Sequence, residues 1–97
     1  MGDLMRLAVP VVLEKTKEFS NYSGTVYMFW LRSRDNKKEI PFIVVDTATL
    51  TLSDFNQYDD GTDVPLGAIL INLNDGKWYI RYNNGTTTAW TIIGNVT

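Results

Sequence analysis

Apolar residues fall along this chain in short, strand-like runs set apart by polar stretches rich in Asn, Asp, Gly and Thr. The first run, Leu4 to Lys17, is apolar and β-branched with Pro10 in its middle. A proline there removes a backbone donor, so residues 1–17 are predicted to form an extended arm or an edge strand. Two further runs, Thr25 to Arg32 and Glu39 to Asp46, flank the polar stretch from Ser33 to Lys38, and residues 25–46 read as a β-hairpin with a charged, solvated tip. Pro41 lies early in the second run, so that end of the strand is expected to face an edge. Between Thr47 and Pro65 the pattern loosens into a long loop, with one short strand expected near Leu50 to Leu52. The stretch Asp59-Asp60-Gly61-Thr62-Asp63 carries strong turn chemistry.

The segment 64–94 is predicted to be a three-stranded meander, because its turns and its face pattern constrain each other. A two-residue turn at Asp75-Gly76 opposes Leu73 to Trp78, Ile71 to Ile80 and Ile69 to Tyr82. A five-residue loop from Asn83 to Thr87 then opposes Tyr82 to Thr88, Ile80 to Trp90 and Trp78 to Ile92. One face becomes apolar throughout: Ile69, Ile71, Leu73, Trp78, Ile80, Tyr82, Trp90 and Ile92. A tighter Asn84-Gly85 turn places Trp90 on the other face and ranks second. Each large side chain buried contributes about 1.5–3 kcal/mol, so this face is expected to be the main core. The other face, with Leu70, Asn72, Lys77, Tyr79, Arg81 and Thr91, is mixed, which suggests a protein contact.

The expected fold is therefore all-β: a small antiparallel β-sandwich, or a sheet built from hairpins, with an extended N-terminal arm, in one domain spanning residues 1–97. A chain of 97 residues builds only a modest core. With no cysteine and no histidine, neither disulfides nor an ordinary zinc site can reinforce it, which leaves oligomerisation as the common alternative. The run Val26-Tyr27-Met28-Phe29-Trp30-Leu31 is apolar on both faces, as in a strand central to a sandwich or covered by a second subunit. The candidate interface is thus Val9, Val11, Val12 and Leu13 of the arm, Tyr27, Phe29 and Trp30 of the hairpin, and Leu70 and Tyr79 of the meander.

A net charge of −2 argues against nucleic acid as a partner, since phosphate binding depends on Lys and Arg. The apolar run at the start is broken by Arg6, Pro10, Glu14 and Lys15, so no signal peptide is expected, and no run approaches the roughly 20 residues of a membrane-spanning helix. Nucleophilic triads need His or Cys, which are absent. The acids Asp54, Asp59, Asp60 and Asp63 offer the two carboxyl groups of glycoside hydrolysis or the oxygens of a Ca²⁺ site, but loop acids this close more simply solvate a turn. No enzymatic activity, cofactor or metal is expected. The abundant aromatics, where exposed, leave open a monomeric carbohydrate-binding β-module.

Residues 64–94, VPLGAILINLNDGKWYIRYNNGTTTAWTIIG, resemble a short module of tailed-bacteriophage fibre and other virion proteins. The shared features fall on Pro65, Gly67, Asn72, Gly76, Trp78, Tyr79, Gly85 and Trp90. The resemblance covers about a third of the chain. It implies a non-enzymatic structural component of a bacteriophage virion: a head fibre or capsid-decoration subunit, or part of a tail fibre. It implies also a homo-oligomer, with a trimer favoured, docked on the major capsid or another virion protein and able to present a surface to host glycans. The localisation implied is the virion, after assembly in the host cytoplasm.

Overall fold

A computed structural model describes residues 11–14, 17–35 and 37–95 of the chain. Six strands form one sheet: β1 (Val11–Glu14), β2 (Tyr27–Arg32), β3 (Glu39–Val45), β4 (Ile69–Asn72), β5 (Lys77–Asn83) and β6 (Thr88–Asn95). Their order in the sheet follows their order in the chain. Every pairing is antiparallel except β3 with β4, which is parallel. The chain is all-β, as its pattern implies, but it is one mixed sheet and not a sandwich. A parallel neighbour requires a crossover, and the stretch 46–68 supplies it.

The hairpin of β2 and β3 forms where the polar tip predicts it. Arg32 pairs with Glu39 in register and also by an ion pair of 3.0 Å. The Ser33 amide donates to the Lys38 carbonyl at 2.9 Å and closes the tip. Pro41 leaves no donor unused, because β4 begins only opposite Phe42, so its end of β3 has no strand on that side. β1 lies at one edge of the sheet, its Leu13 and Glu14 opposite Trp30 and Phe29.

The crossover makes no strand at Leu50 to Leu52. Instead a 3₁₀ turn, η1 (Leu52–Phe55), drives Phe55 into the core. One sheet face contributes Met28, Trp30, Ile43, Val45 and Leu70 to that core, and the loops contribute Phe19, Phe55, Tyr58, Val64 and Ala68. The Phe55 ring meets Phe19 edge-on at 5.0 Å and Tyr22 at 5.0 Å. The crossover thus does the work that a second sheet would do in a sandwich, and it does so on one face only.

Two turns differ from expectation, and each has a physical cause. Asn72, only 1% exposed, donates from Nδ2 to the Thr47 carbonyl at 3.0 Å, and its Oδ1 accepts from the Thr47 amide at 3.1 Å and the Asn74 amide at 3.2 Å. The Leu73 amide donates to the Val45 carbonyl at 2.8 Å. These bonds hold Leu73 in the turn, so the loop comprises Leu73 to Gly76 and Asn72 pairs with Lys77. The register moves by two residues, to Ile71 opposite Trp78 and Ile69 opposite Ile80. An even slip leaves every side chain on its face.

Between β5 and β6 the shift is odd and costs more. Asn84 Oδ1 accepts from the amides of Thr86 and Thr87, and the Asn84 amide donates to the Thr87 carbonyl, so the loop is Asn84 to Thr87. Trp90 then pairs with Arg81, on the face opposite Trp78; the second-ranked turn shares that face but would have set Trp90 opposite Tyr79. A register shift between Trp78 and Tyr79 places Ile92 opposite Tyr79. Trp90 and Ile92 therefore leave the face that the sequence pattern assigned to them.

Candidate functional site

The larger correction concerns which face is the inside. The mixed face is the buried one: Leu70 is 0% exposed, Asn72 joins the crossover, and Arg81 is 4% exposed. Arg81 is tolerated there because each of its three guanidinium nitrogens donates a hydrogen bond. Its Nη1 donates to Asn56 Oδ1 at 2.8 Å, Nη2 to the Asn56 carbonyl and Nε to the Val64 carbonyl, both at 3.4 Å. Its cation also lies 5.5 Å from the Trp90 ring centroid. Burial lowers its pKa, and the charge of Asp63 partly offsets this. Tyr79 and Trp90 are half-buried against the same core.

The face expected to be the core is the open one. From β2 to β6 the pairings set side chains in three transverse rows. Tyr27, Val44, Ile71 and Trp78 form one end row. Phe29, Phe42, Ile69, Ile80 and Thr91 form the centre, and Leu31, Ile40, Tyr82 and Ala89 the other end. None of these residues is charged. Tyr27 is 60% exposed, and Phe29, Trp78 and Tyr82 are exposed as well; the remainder are half-buried. Beyond the first row Leu73, 59% exposed, joins Val44, Ile71 and Trp78 around a shallow groove of about 530 Å³, with Asn74, Asp75 and Gly76 at its rim.

The residues named as a candidate interface divide accordingly. Tyr27 and Phe29 lie on the open face. Trp30 and Leu70 are buried in the chain's own core and present no surface, and Tyr79 packs on the covered side. Val11, Val12 and Leu13 supply β1, of which the backbone pairing alone is described, and Val9 lies outside the described residues. Sequence reasoning missed Leu31, Ile40, Phe42 and Val44 as members of this face. The alternation of Ile40, Phe42 and Val44, joined to β2 by the Arg32 and Glu39 closure, held the signal.

The acidic loop is a turn in which the Asp60 and Asp63 carboxylates are already engaged. Asp60 Oδ1 accepts from the Thr62 amide at 2.9 Å and the Thr62 hydroxyl at 2.6 Å, and Oδ2 pairs with Lys17 at 3.0 Å. These hydrogen bonds hold the Asp60 pKa at about 2. Gln57 donates to Asp63 at 2.9 Å, and Gly61, at φ 87°, turns the chain. Among the described residues no group of three or more His, Cys, Asp or Glu side chains is placed to hold a metal ion. A polar cleft of about 460 Å³ lies beside Arg81, lined by Asn56, Gln57, Asp63, Thr87 and Thr88 among others. No described helix is long and apolar enough to cross a membrane.

Fold and face together define an all-β protein built on one mixed sheet, with one apolar face covered by its own crossover and the other not covered by any described segment. No family model, no curated protein and no solved structure matches the chain.

Proposed function

We propose that this chain is a non-enzymatic assembly protein, a structural component of a bacteriophage virion that docks through its open sheet face. The observation that carries the reading is that face: three rows of uncharged, largely apolar side chains outside the chain's own core. Exposed apolar area of this extent marks a surface that functions when covered. The particle itself rests on the resemblance of residues 64–94 to virion β-modules, whose turn and strand residues Gly76 and Trp78 line the groove at the end of the open face. Peptide mass spectrometry of purified particles from the genome that encodes the chain tests this. The chain is expected there in many copies per particle, and its absence from intact particles would overturn the assignment.

A second reading draws on the groove beside Trp78. An exposed indole next to Asn74 and Asp75 offers a stacking platform and hydrogen-bonding groups for a sugar ring. Retention of the chain on a glycan array, lost in Trp78→Ala, would favour a carbohydrate-binding module.

A further inference from the structure

We infer that the open face is covered by the same face of a second copy of this chain, so that two single sheets close into one β-sandwich with twofold symmetry. The inference rests on the assembly reading above and names its partner. Strands lie about 4.8 Å apart and rise about 3.3 Å per residue, so five strands and three rows span about 500 Å². Two such faces remove about 1,000 Å², the least area expected of a specific interface between proteins. The distribution of chemistry across the rows suits self-pairing. The centre row holds Phe29, Phe42, Ile69 and Ile80, hydrocarbon side chains that need no polar partner. Of the groups that do need one, the Tyr27 and Tyr82 hydroxyls and the Trp78 indole stand in the end rows and the Thr91 hydroxyl on the edge strand β6, where water reaches a rim. Strands β2 to β6 bring no charge to the rows, and β1 sets Glu14 at the outer edge of the centre row, opposite Phe29.

Symmetry favours two copies over three. A face paired with itself needs one patch per protomer, whereas a cyclic trimer needs two different complementary patches. The covered face does not offer a second patch of this kind, being occupied by the crossover and the loop that carries Phe19. Two sheets packed in this way lie about 10 Å apart, with inner side chains interdigitating.

Light scattering coupled to size-exclusion chromatography of the full chain tests the proposal. The mass is expected to be that of a dimer, falling to a monomer on dilution, and Ile69→Lys, which sets two cations face to face, is expected to raise the dissociation constant at least 100-fold. Hydroxyl-radical footprinting of the unaltered chain provides a readout that does not depend on how the variant folds. Oxidation of Phe29, exposed in the single chain and in the centre row, is expected to fall as concentration drives assembly, while Ile92 and Ile93 on the edge strand stay reactive. A trimer, a monomer at high micromolar concentration, protection of β6 in place of the rows, or protection independent of concentration would each overturn it. A dimer never found in particles would retain this inference and remove the virion assignment; a monomer abundant in particles would do the reverse.

Discussion

Replacing Asn72 with Leu removes the clasp between β4 and the start of the crossover, and its cost follows from the bonds it makes. Three backbone groups lose a partner: the Thr47 amide, the Thr47 carbonyl and the Asn74 amide. Asn74 is exposed and recovers its bond from water, whereas Thr47 is half-buried. Two orphaned groups at about 1–3 kcal/mol each, partly offset by the greater apolarity of Leu, predict a loss of about 2–5 kcal/mol. A domain of this size has about 5–15 kcal/mol in total, so the loss is a large share of it. Urea unfolding followed by far-UV circular dichroism measures the difference, and hydrogen exchange locates it. Protection is expected to vanish at Thr47 and Leu73 and to persist at the β2 and β3 pairings. A loss below about 0.5 kcal/mol, or unchanged protection at Thr47, would refute the assignment of Asn72 as the clasp.

Two further predictions concern titration. Burial and the nearby charge of Asp60 raise the Tyr58 pKa from 10 to about 12, and its hydroxyl has no partner among the described residues. A raised folded-state value contributes stability that is complete below about pH 10 and lost as pH rises through about 12; Tyr58→Phe is expected to remove that alkaline loss and, at pH 7, to be neutral or slightly stabilising, as melting temperature across the range will show. Asp60 behaves in the opposite sense: its folded-state pKa of about 2 is below the ordinary 3.8, so its contribution is complete above about pH 4 and lost as pH falls through about 2. Asp60→Asn is expected to flatten the acid limb of the stability profile, and an unchanged limb would show that Thr62 and Lys17 contribute nothing through it.

Secondary structure was largely legible because strand runs and turn residues agree locally. The hairpin closes between Arg32 and Glu39, and the strands of the meander lie where alternation places them. What the sequence concealed was which side is inside. A sheet apolar on both faces gives no direction by pattern alone, and the greasier face is not the core here. The decision lies with Asn72 and Arg81, polar residues that are buried because the crossover presents carbonyls and an amide to them. That complementarity joins residues 25 apart in sequence, so no local window contains it. The flip of Trp90 has a smaller origin: one loop residue between β5 and β6, set by how Asn84 accepts the Thr86 and Thr87 amides.

The single parallel junction also orders the events of folding. From β2 onward every other neighbour in the sheet is reached through a turn or short loop, so β2 with β3, and β4 with β5 and β6, can zip up as two separate ribbons within microseconds. Joining them requires the ends of a long, flexible segment to meet before any contact rewards the closure, which makes that seam the slow step. During the wait both ribbons carry bare apolar surface on either side, and a chain that pairs with its neighbour before its own seam shuts would exchange halves with it. Stiffening the segment 46–68 should therefore do more for yield on refolding than strengthening any strand.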